Sequence, residues 1–252
     1  MATTYANAAA IRAFRIVEIL AQAREPLTLA EIVEEIELPK QTVHRLLQQL
    51  EGASVIVRHN ADKRYECSAR MRSMALSLLM TTGPGAARHA ILLELVDQIG
   101  ETCNLSMPSG TDVVYLDRIQ TNWPPQFVLN AGSRVPFHCT ASGKLFLSLL
   151  PKAQRERLIR QLPLRSNTPN TITDAACLRV ELDQIRKQRY AINNAEFMPD
   201  MTAIAAPVML NPRRQCAAIA IQGPMERLPE ARLLELLPLL QQTADRMAET
   251  FR

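Results

Sequence analysis

Between Ile11 and Leu50 apolar residues recur at helical spacing in three short blocks, and the second and third blocks are almost contiguous. In the first, Ile11, Phe14, Val17 and Leu20 form one stripe, with Arg12, Arg15 and Glu18 on the wetter faces, and Pro26 ends it. In the second, Thr28 is followed three residues later by Glu31, the spacing of a capping box, and Leu29, Ile32, Val33 and Ile36 face inward. In the third, Pro39 suits the first turn, Val43, Leu46, Leu47 and Leu50 face inward, and Gly52 is expected to supply a left-handed stop. After Gly52 the period changes. Val55 to Arg58 and Arg64 to Cys67 are short extended runs joined by the turn-forming stretch His59 to Lys63. Helices this short can bury their stripes only against one another. With the hairpin behind them they outline a winged helix-turn-helix, whose third helix enters the DNA major groove.

The chemistry of the third helix fits that outline. Opposite its apolar stripe lie Lys40, Gln41, Thr42, His44, Arg45 and Gln48, side chains that bond phosphates and base edges, and no acid interrupts them. The hairpin adds Arg58, Lys63 and Arg64. From Leu38 to Arg72 seven basic residues face three acidic ones, whereas Glu31, Glu34, Glu35 and Glu37 crowd the second helix. The positive charge is therefore local to the recognition side, which points to double-stranded DNA. A winged helix serving as a protein-interaction adaptor is the alternative, and it leaves that acid-free basic face unexplained.

From Met71 a helical stripe of Met71, Met74, Ala75, Leu78 and Leu79 resumes, and Gly83-Pro84-Gly85 is the best linker candidate. Beyond it lie a helix from about Arg88 to Ile99 and extended runs at Cys103 to Met107, Val113 to Ile119 and Phe127 to Asn130. Helices follow near Ala141 to Leu150, Gln154 to Gln161 and Ala175 to Gln188, then strands at Ala203 to Met209 and Cys216 to Ile221, then a Leu-rich helix. This pattern predicts an α+β chain of two domains, divided as 1–70, a linker helix at 71–86, and 87–252.

The 5 cysteines are dispersed, without a C-x-x-C pair, so buried reduced thiols are expected. The 4 histidines show no metal-site spacing, and although neighbouring His138 and Cys139 could each bind a metal, no metal or cofactor is expected. Met1 to Ala10 lacks the charge and apolar run of a secretory signal, and no segment approaches the roughly 20 apolar residues that span a bilayer. A cytoplasmic protein with no membrane partner is expected.

Arg12-Ala13-Phe14, Leu27 to Ile32 and Leu38-Pro39-Lys40-Gln41-Thr42-Val43-His44-Arg45-Leu46-Leu47 resemble the DNA-binding domain of the IclR family of bacterial transcriptional regulators. Gly100-Glu101-Thr102 with Asn104-Leu105, Val113 to Asp117, Pro136-Phe137-His138 with Ala141-Ser142-Gly143-Lys144, and Thr171-Ile172-Thr173 resemble that family's effector domain. Tyr190-Ala191 with Glu196, Ile204 to Val208 and Gly223-Pro224 continue the match. The resemblance implies a GAF-like or profilin-like C-terminal domain holding a small organic acid, a homodimer or a tetramer built as a dimer of dimers, and a pseudo-palindromic operator. Position by position it implies an effector site of Ala141, Ser142, Asn193, Met201, Ala203, Ala220 and Gln222, with Phe127 and Val135 as the apolar wall.

The residues support the first of these positions independently, because Thr140 or Ser142 can cap the helix through Leu145 to Leu150, and free N–H groups at a helix start attract anions. Asn193 stands where the family commonly has Asp, Ala203 where it has Cys, and Ala220 where it has Ser, while Pro199 and Asp200 replace a Gly-containing loop. These departures favour a larger or more apolar acid, aromatic or medium-chain, over one of two or three carbons. A hydrolase-like enzyme using Ser142 and His138 is the rival reading. It lacks a G-x-S-x-G elbow, and Lys144 is expected to face solvent or a partner.

Overall fold

The computed structural model describes residues 9–23, 25–81, 84–121, 129–212 and 214–251. The chain divides into two compact units, one up to Leu78 and one from Leu79 onward.

The first unit opens with α1 (Ala9–Gln22), α2 (Leu29–Ile36) and α3 (Lys40–Gly52), followed by the antiparallel hairpin β1 (Ile56–Arg58) and β2 (Tyr65–Cys67). Its core gathers Ile16, Leu20, Ile32, Ile36, Val43, Leu46, Leu47, Ile56 and Tyr65. The stripe expected on α1 is displaced by about a third of a turn: Ile16, Val17 and Leu20 are buried, while Ile11 and Phe14 are 48% and 58% exposed. The α2 cap forms as the sequence predicts. The Thr28 backbone N–H donates to Glu31 Oε2 at 2.6 Å and the Glu31 N–H donates to Thr28 Oγ1 at 3.3 Å. The Thr28 backbone N–H first, and then the Thr28 hydroxyl donating to Oε2 at 2.8 Å, hold the Glu31 carboxyl below its ordinary range.

Gly52 does not stop α3 in the left-handed region. It stays inside the helix, and Ser54, at φ 56°, makes the reversal two residues later, its N–H donating to Glu51 O. Helix α4 (Ala69–Thr81) follows the hairpin, but Met74 and Leu78 of its expected apolar stripe are exposed.

The second unit begins with α5 (Pro84–Ile99). Of the expected linker triplet, Gly83 lies outside the described residues, and Pro84 and Gly85 form the first turn of α5, where a missing proline N–H costs nothing. Next come β3 (Thr102–Ser109), β4 (Asp112–Ile119), β5 (Arg134–Pro136), α6 (Ala141–Leu149), α7 (Lys152–Ile159) and α8 (Ala175–Gln188). The unit closes with β6 (Ala191–Asn194), β7 (Met201–Asn211), β8 (Arg214–Pro224) and α9 (Glu230–Glu249). Strands β5 and β6 were not apparent in the sequence, and Phe127 of the expected 127–130 strand lies outside the described residues. The six strands form one antiparallel sheet in the order β5-β4-β3-β8-β7-β6.

Alternation along β7 and β8 builds two layers. Ala203, Ala205, Ala218 and Ala220 join a core with residues of α6, α7 and α8, so Ile204, Ala206, Ile219 and Ile221 fall on the opposite face, against which α9 packs. No helix among the described residues is long and apolar enough to cross a membrane.

Helix α6 sits very close to the chain that precedes it. A Cβ on Gly143 would lie 2.3 Å from Phe137 O and 2.6 Å from Thr140 Oγ1, so only glycine fits there. Gly143→Ala is expected to cost about 1 to 3 kcal/mol by overpacking, read as a lowered midpoint in denaturant unfolding; an unchanged midpoint would show that α6 can move away freely.

Candidate functional site

In the first unit, α3 presents Lys40, Gln41, His44, Arg45 and Gln48 to solvent, with Thr42 half-buried. They lie outward because Val43, Leu46 and Leu47 fix the inner face. In the hairpin, Arg58 and Lys63 are exposed; the Arg58 guanidinium lies 5.7 Å from the Tyr65 ring centre. Arg64 is different. Its Nη1 donates to Pro26 O at 2.8 Å and to Glu31 Oε2 at 3.1 Å, tying the hairpin to the α2 cap. This side chain is committed inside the unit and leaves the set turned outward. Arg64→Ala is therefore expected to cost about 1 to 2 kcal/mol of stability in thermal unfolding, and Lys63→Ala less than about 0.5 kcal/mol; equal losses would contradict the assignment.

In the second unit, the start of α6 and the adjacent sheet face form a small cavity of about 30 Å³ that opens to solvent. Sheet register explains which residues meet there. Thr102, Gln222, Ala203 and Asn193 stand in one row across β3, β8, β7 and β6, and Asn104, Ala220, Ala205 and Ala191 stand in another. The rows carry alanine at four of their eight places, which leaves room above the sheet. Ala141, Ser142, Asn193, Met201, Ala203, Ala220, Gln222 and Val135, singled out from the sequence, all line this one cavity. Phe127 lies outside the described residues.

Sequence reading missed Asn104, Tyr115, Leu129, Phe197 and Met198, which also line it. Tyr115 arrives there through a bulge. The β3–β4 register shifts at Leu105/Ser106, leaving Leu116 unpaired, so Tyr115 and Arg118, three residues apart, turn to the same face. The Arg118 guanidinium sits 5.4 Å from the Tyr115 ring centre.

The polar groups of the cavity are oriented by their neighbours. Thr140 caps α6: its Oγ1 accepts from the Gly143 N–H at 3.2 Å and its carbonyl from the Lys144 N–H. The N–H groups of Ala141 and Ser142 are thus the first-turn donors without an intrahelical acceptor. Asn193 Oδ1 accepts from the Glu196 backbone N–H at 2.8 Å, which leaves its NH2 group for the cavity. Among the described residues, no charged side chain lines the space.

Lys144 departs from expectation. It is 1% exposed, and its Nζ donates to Glu181 Oε1 at 2.8 Å and Glu196 Oε1 at 2.6 Å, joining α6 to α8 and to the loop after β6. His138 Nε2 bonds Arg165 O at 2.9 Å. Burial pushes the Cys139 thiol up to about 12. Cys103 and Cys139 are buried as expected, Cys67 and Cys216 only partly, and Cys177 is exposed in the first turn of α8.

Residues 9–59 match the IclR helix-turn-helix domain, and residues 85–249 match the bacterial transcriptional regulator IclR C-terminal domain. The chain belongs to the IclR family. It is 55% identical to the probable transcriptional regulator SauR of Cupriavidus necator over 99% of each chain. Among solved structures, IclR of Thermotoga maritima superposes with a TM-score of 0.64 at 25% identity, covering 94% of this chain and 96% of that one. The inducer-binding domain of the Acinetobacter transcription factor PobR, solved as a double mutant in complex with 3-hydroxybenzoic acid, gives 0.60 at 27% identity over 67% of this chain and 98% of that one. The chain is thus an IclR-family transcriptional regulator with a helix-turn-helix DNA-binding domain and an α+β C-terminal domain. The matched families and relatives are regulators, not enzymes.

Proposed function

We propose that this regulator binds a specific DNA site and that its DNA affinity is controlled by a small organic acid held in the cavity of the second unit. The carrying observation is convergence of donors: the N–H groups of Ala141 and Ser142 and the amide NH2 of Asn193 meet on a cavity that no carboxylate among the described residues lines. A helix start favours negative charge, and Val135, Leu129 and Met201 supply apolar surface for a carbon skeleton. PobR, with its aromatic hydroxy acid, supports the acid class. Residues 1–70 act as the DNA-binding part, 71–86 as a linker helix and 87–252 as the effector-binding part. Two copies, or a dimer of dimers, would present paired recognition helices to a pseudo-palindromic operator in the cytoplasm.

Isothermal calorimetry of the full chain with a panel of aromatic and aliphatic acids tests the cavity. Saturable binding of an acid that Ala203→Leu blocks is expected; exclusive binding of a cation or uncharged sugar would refute the anion assignment. On the DNA side, Lys40, Gln41, Thr42, His44, Arg45 and Gln48 are the base- and phosphate-reading set, with Arg58 and Lys63 on the flanking backbone. Arg45→Ala is expected to cost about 1 to 3 kcal/mol and relax the preferred sequence, whereas Lys63→Ala should weaken all sequences and lower the salt slope by about one. Anisotropy titrations over a range of salt separate the two, and binding indifferent to salt would contradict the DNA face.

A further inference from the structure

Beside the cavity, Arg118 forces the amide orientations of two side chains in sequence. Arg118 can only donate, and its Nη1 lies 3.1 Å from Gln222 Oε1, so that atom of Gln222 is the acceptor. Asn104, opposite Arg118 in the β3–β4 ladder, lies 3.4 Å from the same oxygen and must turn its NH2 group toward it. The remaining end of Asn104 is therefore its carbonyl oxygen. Asn104 is 2% exposed and lines the cavity, and Oδ1 is buried without a hydrogen-bond partner. The relay ends in an unpaired acceptor.

A buried acceptor left unpaired carries a desolvation penalty, which a ligand bringing an O–H to that atom removes. The same relay turns the NH2 end of Gln222 away from Arg118 and Asn104. We propose that the effector is a hydroxy acid: its carboxylate meets the N–H groups of Ala141 and Ser142, and its hydroxyl donates to Asn104 Oδ1. This rests on the organic-acid reading of the cavity and narrows it from any acid of suitable size to one carrying a hydroxyl donor. Arg118 acts as a positioning residue, fixing Gln222 and through it the polarity of Asn104.

The test uses full-length protein and matched acids that differ by one hydroxyl: lactate against propionate, and 3-hydroxybenzoate and 4-hydroxybenzoate against benzoate, each titrated by calorimetry. The hydroxylated member of at least one pair is expected to bind about tenfold or more tightly, because its partner leaves Asn104 Oδ1 unpaired. Asn104→Leu should abolish that preference. Arg118→Met should weaken the preference by freeing Gln222 and Asn104 to rotate. The comparison in the unmodified protein stands even where a variant fails to fold. Binding of plain and hydroxylated acids with equal affinity would overturn the hydroxy-acid assignment and leave the organic-acid reading standing, as would a preference that survives Asn104→Leu. Failure of every acid to bind would overturn both.

Discussion

Lys144→Met is expected to destabilise the protein by about 3 to 5 kcal/mol, among the largest effects of any single substitution in the second unit. The reason is asymmetry. Lys144 Nζ lies between Glu181 and Glu196, and removing it leaves a carboxylate whose side chain is only 7% exposed without its cation. Glu196 already carries one buried oxygen, Oε2, with no hydrogen-bond partner, and without Lys144 its Oε1 keeps only the Asn194 backbone N–H at 3.3 Å. The loss would reach the cavity too, because Phe197 and Met198 follow Glu196 directly and line it. Denaturant unfolding of the single variants and of Lys144→Met with Glu196→Gln closes a double-mutant cycle. The double variant should recover at least half of the loss, since the buried charge is gone and only the partly exposed Glu181 carboxylate still lacks its cation. A single-variant cost under about 1 kcal/mol would show that the pair holds nothing together.

Asn193→Asp is expected to weaken an organic acid by about 2 to 4 kcal/mol, roughly thirtyfold to several hundredfold, while leaving the fold intact. The fold survives because an aspartate oxygen can still accept from the Glu196 N–H, the bond that Asn193 Oδ1 now makes at 2.8 Å. The loss arises at the other end, where a donor NH2 becomes a carboxylate oxygen facing a carboxylate ligand. Calorimetry and unfolding measured on the same preparation separate these terms. Unaltered affinity in a folded variant would place the acid elsewhere.

The local devices of the fold were legible in the sequence because they depend on neighbours along the chain. The Thr28/Glu31 cap, the inner face of α3 and the bounds of α8, Ala175–Gln188, follow from spacing alone. What escaped depends on long-range pairing. Lys144 reads as a surface charge until α8 and the loop after β6 bring Glu181 and Glu196 to it. Arg64 reads as a phosphate contact until Pro26 and Glu31 claim it. Strand β6 has only four residues, too few to show a period.

The cavity was legible in a particular way. Its sequence-derived residues came from resemblance, and the cross-strand row of Gln222, Ala203 and Asn193 gives the physical reason they converge. Asn104 and Tyr115 entered only as parts of the family resemblance and Arg118 not at all, because their shared face depends on the bulge at Leu116, which spacing along β4 does not reveal.

The central claim is that an acid in this cavity changes DNA affinity, and coupling of that kind requires the acid to bind the DNA-competent and incompetent states differently. The decisive measurement is the affinity of the full chain for a duplex recovered from a random library, with and without the acid that binds it best, in unmodified protein and in Asn193→Asp. A shift of about 5- to 150-fold in the unmodified protein, absent from the variant at the same acid concentration, is the predicted result. DNA affinity unchanged by the bound acid, or shifted equally in both proteins, would contradict the account.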